Sequence, residues 1–121
     1  MSTSFELLAQ ARRMPLVAIL RGLVPAEAEA VGAALVESGF RTLEVPLNRP
    51  GALECIAVLA RRLPADAIVG GGTMLTVADV EAVHAAGGRL MVSPNCDTAV
   101  IRRAVELGML CLLYTSPSPR D

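Results

Sequence analysis

Short, uniformly apolar segments begin near residues 16, 42, 67, 89 and 109, and stretches with helical periodicity run between them. The starts are about 20–26 residues apart, the spacing of a βα repeat in which each strand returns parallel to the last through a helix. The strand segments are apolar at every position instead of alternating. That pattern belongs to a sheet whose strands are buried on both faces. Two architectures satisfy it: an open doubly wound sheet, or part of a (β/α)8 barrel. A whole barrel takes about 250 residues, and 121 residues hold four βα units and the start of a fifth strand. The pattern alone does not choose between them.

Local signals punctuate the repeat. A first helix is expected over Ser4–Arg13, with Phe5 and Leu8 on one face. The strand Leu16–Leu20 ends at Gly22, and Pro25 opens a helix through Ser38 that Gly39 stops. The strand Thr42–Pro46 leads to the helix Pro50–Leu63. Next, Ala67–Val69 is expected as a strand, and Gly70-Gly71-Gly72 as a tight turn that brings backbone and the Thr73 hydroxyl close to a ligand. Thr76 and Asp79 form a capping-box variant at the head of the helix Val77–Ala86. Arg89–Val92 and a helix from Asp97 to Leu107 complete the fourth unit, and a fifth strand begins at Met109.

Composition narrows the function. The chain is 53% hydrophobic with a net charge of −1, and its aromatic residues are Phe5, Phe40 and Tyr114. Nucleic acid needs basic patches and stacking platforms, so it is not an expected partner. No apolar run reaches the ~18 residues of a membrane span, and the N-terminus has no signal-peptide order, so neither membrane nor export is expected. Cys55, Cys96 and Cys111 show no metal-ligand spacing. No metal site is expected, and the cysteines read as packing residues in a reducing cytoplasm. Every one of the 11 basic residues is Arg, and Lys is absent.

In a parallel α/β sheet, ligands bind beyond the carboxyl ends of the strands in either architecture. Those ends carry Arg21-Gly22, then Glu44 with Asn48 and Arg49, then Gly72-Thr73, then Pro94-Asn95. An acid, a cation and a hydroxyl converging there suit a small anion and a proton transfer. Glu44 lies inside an apolar strand, where an unpaired carboxylate is costly. It reads either as an ion-pair partner of Arg21 or as a general acid/base. Arg21 in turn reads as that partner or as a carboxylate clamp. The glycine run lacks the pattern of a P-loop, so nucleotide binding is unsupported. His84, in mid-helix, is expected at the surface or in packing, and Arg61-Arg62 and Arg102-Arg103 as solvated groups at helix ends.

The segments Ala18-Ile19-Leu20-Arg21-Gly22, Leu43-Glu44-Val45-Pro46-Leu47-Asn48, Gly71-Gly72-Thr73 and Ser93-Pro94-Asn95 resemble, in order and spacing, the KDPG/KDPGal aldolase family. The similarity runs over about residues 14–110 and includes Val100-Ile101-Arg102-Arg103-Ala104-Val105. Its members are class I aldolases that cleave 2-keto-3-deoxy-6-phosphosugar acids. Gluconate-type members usually read Glu-x-Thr-x-Arg at the second strand; Glu44-Val45-Pro46-Leu47-Asn48 is similar to the galactonate type. The resemblance implies a (β/α)8 barrel, a homotrimer, and no metal or cofactor. It also implies a sixth-strand lysine that forms an imine with the keto acid, and cleavage to pyruvate and D-glyceraldehyde 3-phosphate. By the same resemblance Glu44 is the proton shuttle. Arg21, Thr73 and Gly72 hold the pyruvate moiety, Pro94 forms a wall of its site, and Asn48 stands where the gluconate type has arginine. Whether Arg49 or Arg21 carries that arginine's load is left open.

The sixth strand, its lysine and the later phosphate-binding loops would lie beyond residue 110. The chain is therefore expected to be residues 1–110 of such a barrel, inactive alone, followed by a non-native tail. That tail, CLLYTSPSPRD at 111–121, reads as the translation of a sequencing-library adapter. Two alternatives stand beside this reading: a gluconate-type aldolase, or a non-catalytic βα domain that binds a small anion.

Overall fold

Pairing between the apolar segments decides the architecture that their periodicity leaves open. The computed structural model describes residues 6, 8–9, 16–93 and 97–113. Five strands, β1 (Val17–Ile19), β2 (Thr42–Pro46), β3 (Ile68–Gly72), β4 (Leu90–Ser93) and β5 (Leu110–Leu113), form one parallel sheet in the order β1-β2-β3-β4-β5. Between them lie α1 (Pro25–Glu37), α2 (Ala52–Arg62), α3 (Val77–Ala85) and α4 (Thr98–Glu106). Right-handed crossovers that always step to the next strand in one direction place every helix on the same face of the sheet. A doubly wound sheet reverses its strand order and carries helices on both faces. The sequential order makes this chain part of a (β/α)8 barrel, with four complete βα units and a fifth strand.

The register sorts the strand residues into two cores. Val17↔Thr42↔Ile68 and Ile19↔Glu44↔Gly70↔Leu90↔Leu110 are level across the sheet and share the face turned away from the helices. On that inner face Ile68, Leu90, Val92 and Leu110 form a small apolar cluster with Leu112 packed against it. The opposite face carries Val45, Val69 and Met91, which meet Cys55, Ile56 and Leu59 of α2, Val80 and Val83 of α3, and Val100 and Ala104 of α4. This is the larger core. α1 closes against α2 through Gly32, whose missing side chain leaves room for Leu59.

Two boundaries differ from expectation in a way that matters. β3 runs through Gly72, so Gly70-Gly71-Gly72 is strand and not turn. The glycines answer to neighbours in space: a Cβ on Gly70 would overlap the Leu90 backbone, and one on Gly72 the Glu44 side chain. The turn begins only at Thr73, whose φ of 55° is the one positive value on a non-glycine residue among those described. Of the expected first helix, only Glu6, Leu8 and Ala9 are among the described residues, and they are helical. The fifth strand extends through residues 111–113, with Met91↔Cys111 and Val92↔Leu112 in register; residues 114–121 lie outside the described set.

Arg62 reaches Glu29 of α1 at 3.8 Å and Arg103 reaches Glu81 of α3 at 2.9 Å, so both join neighbouring helices as well as sitting at helix ends. His84 is exposed. Cys55 is fully buried in the larger core, and burial pushes its thiol pKa up, which suits a packing residue and not a nucleophile. Among the described residues no helix is long and apolar enough to cross a membrane.

Candidate active site

The carboxyl ends of the first three strands are tied together past their last paired residues. The Leu20 N–H donates to the Glu44 carbonyl and the Leu47 N–H to the Gly72 carbonyl, each at 2.9 Å. These bonds fix where the chain leaves β1 and β2, and so where Arg21 and Asn48 stand. Beyond β3, Thr76 caps α3 reciprocally with Asp79, whose carboxylate also accepts the Leu75 N–H at 3.0 Å. That cap pins the loop that begins with Thr73.

Around these ends lies a cavity of about 370 Å3, lined by Arg21, Glu44, Pro46, Asn48 and Thr73 over an apolar floor of Val17, Ile19, Val92 and Leu112. Four of the residues singled out from sequence thus meet at one place. Gly72 stands behind Glu44 and does not line the cavity itself. Pro94 lies outside the described residues. Arg49 lines a neighbouring groove with Pro50, Leu53 and Glu54 and brings its guanidinium beside Gly22, while Arg21 is the cation on the Glu44 cavity. Sequence spacing had no means to separate these two arginines. They leave from different strand ends, Arg21 after β1 and Arg49 after β2, and which one reaches the Glu44 cavity is a matter of packing across strands.

Glu44 is 6% exposed, whereas Arg21 and Asn48 are exposed and Thr73 is half-buried. Burial pushes the Glu44 carboxyl above its ordinary range, and the Arg21 guanidinium opposes that rise in part. No ion pair joins the two among the described residues, so Arg21 acts on Glu44 through space. The ion-pair reading of Glu44 is therefore not the one this geometry favours. A buried carboxyl whose pKa is raised, over an apolar floor and beside a cation, can give and take a proton next to a bound carboxylate. Among the described residues no cluster of three or more His, Cys, Asp or Glu side chains is placed to hold a metal ion.

Half of a parallel barrel with an acid–cation cleft at its strand ends defines the class: a barrel of the kind that houses small-molecule chemistry at its carboxyl face. The family model for KDPG and KHG aldolases matches residues 7–113, and the chain belongs to that family. It is 51% identical over 98 residues to a probable 2-dehydro-3-deoxy-6-phosphogalactonate aldolase of Rhizobium meliloti, covering 81% of this chain and 46% of that protein. To the 2-dehydro-3-deoxy-6-phosphogalactonate aldolase of Escherichia coli it is 41% identical, covering 80% of this chain and 47% of that one. The native KDPGal structure superposes with a TM-score of 0.80 at 40% identity, over 84% of this chain and 49% of that one. The chain thus spans about half the length of the relatives it matches.

Proposed function

We propose that this chain is the N-terminal half of a class I aldolase that cleaves 2-dehydro-3-deoxy-6-phosphogalactonate to pyruvate and D-glyceraldehyde 3-phosphate. The observation that carries the reading is the cavity in which Arg21, Glu44, Asn48 and Thr73 meet at the strand ends. In this reading a lysine amine attacks the C2 carbonyl of the keto acid. Glu44 protonates the departing hydroxyl of the carbinolamine, and the resulting iminium draws the C3–C4 bonding electrons as that bond breaks. The C4 hydroxyl gives its proton to the Glu44 carboxylate as the aldehyde forms and leaves. Glu44 then returns a proton to C3 of the enamine, and water releases pyruvate. Arg21 and Thr73 hold the substrate carboxylate, Asn48 faces the sugar chain, and Gly72 stands behind Glu44.

The amine must come from sequence that these 121 residues do not contain, since all their cations are Arg apart from the chain terminus. The phosphate-binding loops belong to the same further segment, and residues 111–121 are read as an adapter translation that replaces its start. The complete protein is read as a cytoplasmic homotrimer, with the buried free thiol of Cys55 consistent with a reducing compartment.

The test is turnover by the complete polypeptide, obtained by reading the source locus past codon 110, on the two C4-epimeric substrates. The galactonate epimer is expected to give a kcat/KM at least about tenfold higher, a gap of the size one well-placed polar contact supplies. Preference for the gluconate epimer would move the protein to the other branch of the family. Turnover of neither would leave the site as a small-anion binder.

A further inference from the structure

We propose that Gly72 is the positioning residue for Glu44: the space left by its missing side chain is the seat of the carboxylate. The inference rests on the reading of Glu44 as the proton-transfer group and concerns what holds that group in place. Both residues belong to the inner face, Glu44 level with Gly70 and Gly72 two residues further along the same strand. A Cβ built on Gly72 would fall on the Oε2, Cδ and Cγ atoms of Glu44. Among the described residues the carboxylate makes no hydrogen bond or ion pair, and the close approach to Gly72 bounds the space it occupies.

The neighbouring glycine supplies the contrast. A Cβ on Gly70 would strike the carbonyl oxygen and carbon of Leu90, which are backbone and cannot yield without opening the sheet. On Gly72 the atoms in the way are the far end of a flexible side chain. Gly72 also lacks the positive φ that would make alanine strained there. An alanine at 72 therefore leaves the strand intact and displaces the Glu44 carboxyl toward the cavity.

The experiment compares Gly72→Ala, Glu44→Gln and the double variant in the complete polypeptide. Gly72→Ala is expected to keep the fold, to lower kcat about 100-fold as misplacement of a reacting group does, and to change KM by less than about threefold. The double variant is expected to fall no lower than Glu44→Gln alone. A carboxyl moved out of its dry seat titrates lower, so the pH-profile limb assigned to Glu44 moves down. Carbon-13 NMR of the Glu44 carboxyl should show the same downward move without any turnover. That readout decides the role of Gly72 separately: a wild type that cleaves no aldol substrate overturns the proposed function and leaves the NMR comparison standing. An unchanged Glu44 titration, or additive losses in the double variant, overturns the positioning role. If Gly72→Ala does not fold, combining it with Glu44→Asp, whose shorter chain vacates the space, should restore folding; failure to do so also overturns the proposal.

Discussion

Glu44 sits where a carboxylate is hardest to keep charged: on the inner face of β2, 6% exposed, with a cation near but not bonded to it. Its folded-state pKa is raised, so the fold favours the protonated form. The stability this contributes is fully present below the ordinary glutamate range and is lost as pH rises through the shifted value. Glu44→Gln in the complete polypeptide should therefore lower kcat by about 10²–10⁴-fold. It should also raise Tm relative to wild type at pH above that value. A Tm series from about pH 4 to pH 8 checks this, and a variant that melts lower than wild type at the alkaline end would contradict it. Much of this residue was legible in the sequence, because a carboxylate inside Leu43-Glu44-Val45-Pro46-Leu47 calls for an explanation by cost alone. The role of Gly72 was not. It is defined by a side chain from another strand, and no local pattern carries that information.

At the scale of elements, helix boundaries were read to within a residue or two, because caps are local: Pro25 at the head of α1, Thr76 with Asp79 at α3, and Asp97 before α4. The glycine run misled for a physical reason. Three glycines punctuate a sequence as a turn does, yet here they allow β3 to run close under Leu90 and Glu44. What turns is the segment after them, which puts Thr73 on the cavity with a left-handed backbone and anchors it through the α3 cap. Thr76→Ala removes the oxygen that accepts the Asp79 N–H, and should cost about 1 kcal/mol of stability. Urea unfolding of the complete polypeptide measures it, with Thr76→Ser expected to recover most of the loss. No loss in the alanine variant would mean that Asp79, bonded to the Leu75 and Thr76 N–H groups, holds the loop by itself.

For the molecule as a whole, periodicity gave the βα repeat but not the barrel. Strands buried on both faces look alike in either architecture, and the face on which each helix lands follows from strand order, a long-range property. The sequential order settles it and gathers Arg21, Glu44, Asn48 and Thr73 at one rim from three separate strand ends. In this chain β1 and β5 are the two edges of the sheet, and Ile19, level with Glu44, is half exposed on the inner face. In the proposed function this rim is the proton-transfer half of an imine-forming site and the amine lies elsewhere in the complete protein. Borohydride reduction in the presence of pyruvate, read by mass spectrometry on the 121-residue chain and the complete polypeptide side by side, tests that claim most directly. A single reduced pyruvate adduct is expected on a lysine of the complete polypeptide and none on the 121-residue chain. An adduct on the shorter chain, or none on the complete one, would contradict it.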